Sequence, residues 1–220
     1  TCVNQAEIEK ALDAFGAPYV VKHDGLAAGK GVVVTSNRSE ALEHALLSSR
    51  VVIEEFLDGP EVSLFGISDG EKVIAMQPAQ DFKRAFDGDK GLNTGGMGAY
   101  SPLPWAPENL EEEVLEKVLN PTIKTMAERG TPFVGLLYAG LALNSKGIRV
   151  IEFNARFGDP ETQVLLPRLK TPLAQLLYSA ATKNLEKFSK LDWIAESAVT
   201  VVLASENYPS EPIVNLPITG

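Results

Sequence analysis

Cysteine is nearly missing from this 220-residue chain, which has Cys2 alone. No internal disulfide framework can form, which fits a reducing, cytoplasmic setting. Histidine is as scarce, with only His23 and His44. So few soft ligands argue against a zinc site. His44 falls mid-helix and reads as exposed, while His23 adjoins Lys22 and reads as a weak candidate for a ligand contact. No run of about 18 apolar residues exists, which predicts no membrane span. The start, Thr1-Cys2-Val3-Asn4, has no basic segment before an apolar core, which predicts no signal peptide. With no initial Met and an abrupt stop at Gly220, the sequence reads as part of a longer protein. Basic residues are outnumbered, 20 against 29 acidic, for a net charge of −9. That balance predicts no nucleic-acid partner, because phosphate backbones demand clustered Lys and Arg. It leaves room for a small phosphate ligand. Neither Gly-x-Ser-x-Gly nor a Walker A loop occurs, so serine hydrolases and P-loop enzymes have no support.

Apolar residues, at 45%, suffice for a folded core. Asn4 to Phe15 reads as a helix, with Asn4 as cap and Ile8, Ala11, Leu12 and Phe15 on one face. Tyr19–Lys22 and Val32–Thr35 read as a hairpin around a glycine-rich loop. Ser39 is expected to cap a second helix, and Val51–Phe56 to form a strand. Glu61–Ser68 and Lys72–Gln77 read as strands joined at Asp69-Gly70. From Asp81 to Pro107 regular patterning is lost, as in long functional or mobile loops. Asn109–Glu128 reads as one amphipathic helix broken or kinked at Pro121. Phe133–Leu143, Arg149–Phe153 and Ala198–Ala204 read as strands, and Leu173–Leu185 as a helix. The expected class is α+β, in two clusters, 1–60 and 61–220.

Four segments concentrate chemistry. Lys22 to Gly31 combines glycines, whose backbone can approach a ligand closely, with Lys22 and Lys30; this suits phosphate, or a plain flexible hairpin. Glu54-Glu55-Phe56-Leu57 runs from strand into turn, where free backbone can meet an adenine edge and Glu61 a ribose. Alone it reads equally as a solvated acidic hairpin. Asp81-Phe82-Lys83-Arg84 and Asn93 to Tyr100 form a charged, glycine-rich loop able to order around an anion, or a surface excursion. Ile151 to Thr162 places Glu152 and Asn154 two residues apart on one strand face. Their oxygens suit Mg²⁺, and Arg156, on the same side while the strand persists, can grip a phosphoryl group. An edge strand's solvent face is the plainer alternative.

Together, Asp24-Gly-Leu-Ala-Ala-Gly-Lys-Gly31, Glu54-Glu-Phe-Leu-Asp-Gly59, Asn93-Thr-Gly-Gly-Met-Gly-Ala-Tyr-Ser-Pro102 and Ile151-Glu-Phe-Asn-Ala-Arg-Phe-Gly-Asp-Pro-Glu-Thr-Gln163 resemble the phosphoribosylamine–glycine ligase (glycinamide ribonucleotide synthetase) family of the ATP-grasp superfamily. The motifs fall in family order over about Ala17 to Pro209. The resemblance implies two α+β subdomains clasping ATP: 1–60, the small subdomain with its glycine-rich lid, and 61–220, the central subdomain. It implies ATP-dependent joining of glycine to 5-phosphoribosylamine in purine synthesis, through a glycyl phosphate. By matching positions, Lys22, Gly25, Gly29, Lys30 and Gly31 would hold ATP phosphates. Glu54, Glu55, Phe56 and Leu57 would bind adenine and Glu61 the ribose. Glu152 and Asn154 would ligate Mg²⁺ (or Mn²⁺). Arg156, with Lys83 and Asp159, would take catalytic roles. Asp81, Arg84, Asn93, Thr94, Gly95, Gly96, Gly98, Glu161 and Thr162 would surround the two substrates.

The chain departs from the family in three ways. The family's N-terminal and C-terminal domains are not in the sequence, so the chain could bind ATP without full turnover. Ala45 to Arg50 reaches the Glu54 strand early. Phe133–Leu143 carries no additional metal-binding acid, leaving water and phosphates to complete the metal shell. Two alternatives stand beside the ligase: another ATP-grasp carboxylate–amine ligase, and a non-catalytic nucleotide-binding module. The sequence says nothing of oligomeric state.

Overall fold

The computed structural model describes residues 1–25 and 31–219, in two compact units, Thr1–Asp58 and Gly59–Gly220. The expected phosphate-binding positions Gly29 and Lys30 lie outside the described residues. Among the described residues no helix is long and apolar enough to cross a membrane.

Unit 1 opens with α1 (Gln5–Phe15). The Asn4 side chain accepts the Glu7 N–H at its start, and Gly16 ends it at φ 73°. Strands β1 (Tyr19–His23), β2 (Val32–Thr35) and β3 (Val51–Glu54) form an antiparallel sheet of order β2-β1-β3. Helix α2 (Arg38–Leu46) is capped by Asn37, not by Ser39: its side chain accepts the N–H groups of Ser39 and Glu40. Ile8, Leu12, Ala41 and Ala45 pack on Val21, Val51 and Ile53, with Cys2 buried among them. Strand alternation then decides two faces. Val21, His23, Val51 and Ile53 turn toward the helices; Lys22 and Glu54 emerge on the opposite face. Strand β3 ends at Glu54, two residues before the expected end, so the backbone of Glu55–Leu57 continues outside the ladder.

Unit 2 contains β4 (Glu61–Asp69), β5 (Val73–Ala75), β6 (Gln80–Asp81), β7 (Arg84–Phe86), β8 (Lys90–Asn93) and β9 (Gly98–Ser101). It continues with α3 (Leu110–Val114), α4 (Asn120–Glu128), β10 (Val134–Asn144), β11 (Gly147–Asn154), α5 (Thr162–Leu165), α6 (Leu173–Ala181) and β12 (Ala198–Val201). The central antiparallel sheet runs β11-β10-β4-β5. One face carries Val62, Leu64, Leu137, Ala139 and Leu141, and packs on α3, α4 and the turn between them. The other carries Phe65, Ile67, Leu136 and Tyr138, and packs on α5 and α6. Gly66 lets Leu119 lie flat on the sheet: a Cβ there would come 2.9 Å from a Leu119 methyl.

One expectation is revised and another refined. The stretch 81–107 is not irregular throughout, because β6, β9 and β12 form a small sheet and β7–β8 a hairpin. The helix expected over 109–128, broken or kinked at Pro121, runs without a gap from Leu110 to Glu128, and its irregularity is a π-helical turn, Leu115–Leu119, just before the proline. Proline at 121 has no N–H, and its ring would press on the carbonyl four residues back; the widened turn just before it makes that room.

Candidate active site

The apolar face under α6 becomes polar toward one end. Register sets Ser63, Gly140 and Glu152 in one row across three strands, and Phe65, Tyr138 and Asn154 in the next. Glu152 and Asn154 therefore share a face with Ser63 and Tyr138, and the Asn154 amide donates to Glu152 Oε1 at 3.0 Å. Gly140 leaves the space beside Glu152 open, a Cβ there coming 3.4 Å from Glu152 Cγ. Glu152 is exposed and Asn154 half-buried. A carboxylate and an amide carbonyl side by side are hard oxygen donors, the set that Mg²⁺ accepts when phosphate and water complete its shell. Among the described residues no group of three or more His, Cys, Asp or Glu is placed to hold a metal. The pair thus fits a cation shared with phosphates, and not a cage built of protein alone.

Behind this pair lies a buried network. Ser63 Oγ and the Tyr138 hydroxyl donate to Glu161 Oε1 at 3.0 and 2.8 Å, and their own oxygens are 2.8 Å apart. Glu161 is 2% exposed. It reaches the sheet because position 158 is glycine; a Cβ at Gly158 would collide with the Glu161 carboxylate and the Phe65 ring. Burial pushes the Tyr138 hydroxyl pKa up, and the Glu161 carboxylate adds to the rise. Glu161 ties the Arg156–Thr162 segment to β4 and β10 and is already committed to two protein donors. Thr162 also has a protein partner, its hydroxyl donating to the Gly158 carbonyl. Sequence patterning missed Ser63 and Tyr138. The one available signal was a hydroxyl at Ser63 inside an otherwise apolar strand.

Lys83 stands between two carboxylates, 2.9 Å from Asp81 Oδ1 and 2.9 Å from Glu61 Oε2. Burial alone would lower its pKa, but Asp81 and Glu61 outweigh it and raise the ammonium above its ordinary value. Lys83 is therefore a fixed positive charge at neutral pH and cannot serve as a base. Asp81 is raised, first by burial and further by Glu161 and Glu61, while Lys83 pulls it down. The loop closes back on this cluster: the Thr94 N–H and hydroxyl both donate to the Lys83 carbonyl, at 2.7 and 2.9 Å. Gly96, at φ 122°, lies so close to Pro160 that a Cβ would strike its ring. Asn93–Gly98 and Asp159–Glu161 are thus brought together. Gly95 donates to the Tyr208 hydroxyl at 3.0 Å, Gly98 accepts from the Phe82 N–H, and Asn93 pairs with Arg84 across the hairpin. The Arg84 guanidinium donates to the Gly91 carbonyl at 2.9 Å.

Arg156 departs from expectation in one respect. Strand β11 ends at Asn154, so alternation does not carry to Arg156. Its guanidinium is exposed and donates to the neighbouring Phe157 carbonyl at 3.1 Å. Asp159, also exposed, accepts from the Gln163 amide. In unit 1, Lys22 is paired with Glu54 at 2.6 Å on the face away from the helices. Such a pair is worth about 0–1 kcal/mol, so a phosphate can compete for the ammonium. Gly25 donates to the His23 carbonyl, and the Gly31 carbonyl accepts the His23 N–H. His44 is not simply exposed as expected: it is half-buried and stacked on His23.

Residues 1–162 match the family model described as phosphoribosylglycinamide synthetase, ATP-grasp (A) domain. The chain is similar to the phosphoribosylamine–glycine ligase of Streptomyces coelicolor, 68% identical over 219 residues, which is 100% of this chain and 53% of that protein. It is 60% identical over 218 residues to the enzyme of the same name from Leifsonia xyli, covering 98% of this chain and 52% of that one. The crystal structure of the phosphoribosylamine–glycine ligase of Thermotoga maritima superposes with a TM-score of 0.87 at 32% identity, over 96% of this chain and 56% of that one. The chain spans about half the length of the relatives it matches.

Proposed function

The chain belongs to the phosphoribosylglycinamide synthetase ATP-grasp domain family, and on that premise we propose that it carries the ATP-dependent step that activates glycine for joining to 5-phosphoribosylamine. The observation supporting this most is the row of polar groups at one end of the central sheet: Glu152 and Asn154 side by side, with Glu161 fixing the Arg156–Thr162 segment beside them.

A carboxylate is a poor acceptor for an amine until one oxygen becomes a leaving group. In the proposed reaction the glycine carboxylate attacks the γ-phosphate of ATP, giving glycyl phosphate and ADP. The amine of 5-phosphoribosylamine then displaces inorganic phosphate. Both reacting groups in the first step, the glycine carboxylate and the ATP phosphate, are anionic, so positioning and charge neutralisation carry most of the catalysis. Glu152 and Asn154 are the residues that would hold Mg²⁺ or Mn²⁺, which when bound neutralises phosphate oxygens. Arg156, whose guanidinium is exposed and, among the described residues, bonds a neighbouring carbonyl alone, supplies donors to the phosphoryl group in transfer. Lys83 holds Asp81 and Glu61 in place and offsets part of their negative charge. Asp81, Arg84, Asn93–Gly98 and Asp159 are assigned to the two substrates, with Glu161 and Thr162 holding that segment in place. In unit 1, Lys22 serves the phosphates, and Lys30 and Gly29 are assigned with it. The backbone of Glu55–Leu57, beyond the β3 ladder, serves adenine, and the second carboxylate oxygen of Glu61 the ribose.

Titration calorimetry of the chain with ATP, with and without Mg²⁺, tests this reading. The expected result is binding that needs the metal and weakens at least tenfold in Glu152→Ala. Equal affinities in all four combinations would remove the metal assignment.

A further inference from the structure

The only two histidines of the chain meet in unit 1, although 21 residues separate them. Their rings stack at 4.3 Å between centroids and 15° between planes. His23 Nε2 donates to the His44 carbonyl at 3.0 Å, and His44 Nε2 donates to the Gly31 carbonyl at 3.1 Å. Both partners are carbonyl oxygens, which only accept, so both rings carry a proton on Nε2. The clasp is reciprocal. His23 adds a second donor to the His44 carbonyl near the C-terminal end of α2, which also accepts the Leu47 N–H at 3.2 Å, and α2 returns a donor to the strand hairpin that His23 belongs to.

Gly31 is the last rung of that hairpin. Its carbonyl also accepts the His23 backbone N–H at 2.8 Å, and it is buried. On the other side of the loop, Asp24 donates its N–H to the Arg50 carbonyl at 3.0 Å and pairs with the Arg50 side chain at 2.7 Å. Gly31 and Asp24 are thus each fixed twice. Lys22, one residue before this rung, emerges on the opposite face of the same sheet. If the rung at Gly31 frays, the backbone that sets the direction of Lys22 frays with it.

We propose that His44 and His23 are positioning residues for nucleotide binding by unit 1, acting by holding the Gly31 carbonyl and so fixing the backbone that presents Lys22. This rests on the assignment of ATP phosphates to Lys22 made above.

The test compares ATP affinity, in the presence of Mg²⁺, for the wild-type chain, His44→Met and His44→Gln. Methionine keeps bulk and helix propensity but has no N–H; glutamine keeps a donor of similar reach. His44→Met should bind ATP about fivefold more weakly, the effect of losing one ordinary hydrogen bond. It should also shift the amide resonances of Gly31 and Val32 before nucleotide is added. His44→Gln should return affinity to within about twofold of wild type, a rescue that the loss of ring stacking alone would not permit. His23→Met, removing the other half of the clasp, is the second variant should His44→Met fold poorly, and the same loss is expected. Equal affinity in wild type and the folded methionine variants would overturn the positioning role while leaving ATP binding intact. A loss that glutamine does not rescue would overturn it too, by showing that the donor is not what matters. No ATP binding by wild type would remove the assignment beneath it, a failure distinct from both.

Discussion

Replacing Glu161 by alanine tests how the candidate active site is held together. The carboxylate accepts two hydroxyl donors at 2.8 and 3.0 Å in a site where the residue is 2% exposed. Hydrogen bonds to a charged acceptor contribute about 1.5–3 kcal/mol each. Their loss is partly offset because Ser63 and Tyr138, 2.8 Å apart, can then bond one another, recovering about 1 kcal/mol. The net expected cost is about 3 kcal/mol, equivalent to a fall of about 6–12 °C in melting temperature for a unit of this size. Glu161→Gln keeps the accepting Oε1 and should cost about 1 kcal/mol. Trp105 and Trp193 both lie in unit 2, so tryptophan fluorescence during urea unfolding reports on that unit. Because Glu161 helps to raise the Asp81 pKa, Glu161→Gln should also lower it, readable by carboxyl NMR. An alanine variant within about 0.5 kcal/mol of wild type would refute the claim that this network braces the site.

Other perturbations have defined outcomes. Burial opposes ionisation of Asp69, yet N–H donors from Lys72, Glu71 and Leu185 hold its carboxyl below the ordinary value. That stabilisation is complete above the ordinary aspartate pKa and is lost as pH falls through the depressed one. Asp69→Asn should therefore cost about 2 kcal/mol at pH 7, with the gap closing in strong acid, as read by melts across pH. Glu111, half-buried, is raised to about 7 by burial and then by Glu112. Its ionisation costs stability as pH rises from the ordinary glutamate value to 7, so Glu111→Gln should stabilise by about 1 kcal/mol at pH 8 and by nothing at pH 4. Gly66→Ala would press a methyl to 2.7 Å from Val73 and 2.9 Å from Leu119. It should destabilise by about 1–3 kcal/mol in chemical denaturation.

Much of the fold was legible because local signals agreed with it. Asn4 with Gly16 bounded α1, and Asp69-Gly70 marked the turn between β4 and β5. Glu152 and Asn154 were legible as a pair because period-two alternation holds to the end of β11. It stops there, which is why the expected side for Arg156 did not follow. The small sheet in 81–101 was hidden because its strands are two to four residues long and paired through β12, about a hundred positions away. Nothing local announces such pairing. Ser63, Tyr138 and the His23–His44 stack were hidden for the same reason: each depends on a partner brought close only by tertiary register.

The most direct test of the central claim is isotopic. Glycine labelled with ¹⁸O in its carboxylate, supplied with ATP, Mg²⁺ and 5-phosphoribosylamine, should yield ADP and inorganic phosphate carrying one labelled oxygen per turnover. ADP formation with phosphate free of label would contradict activation of the glycine carboxylate by phosphoryl transfer.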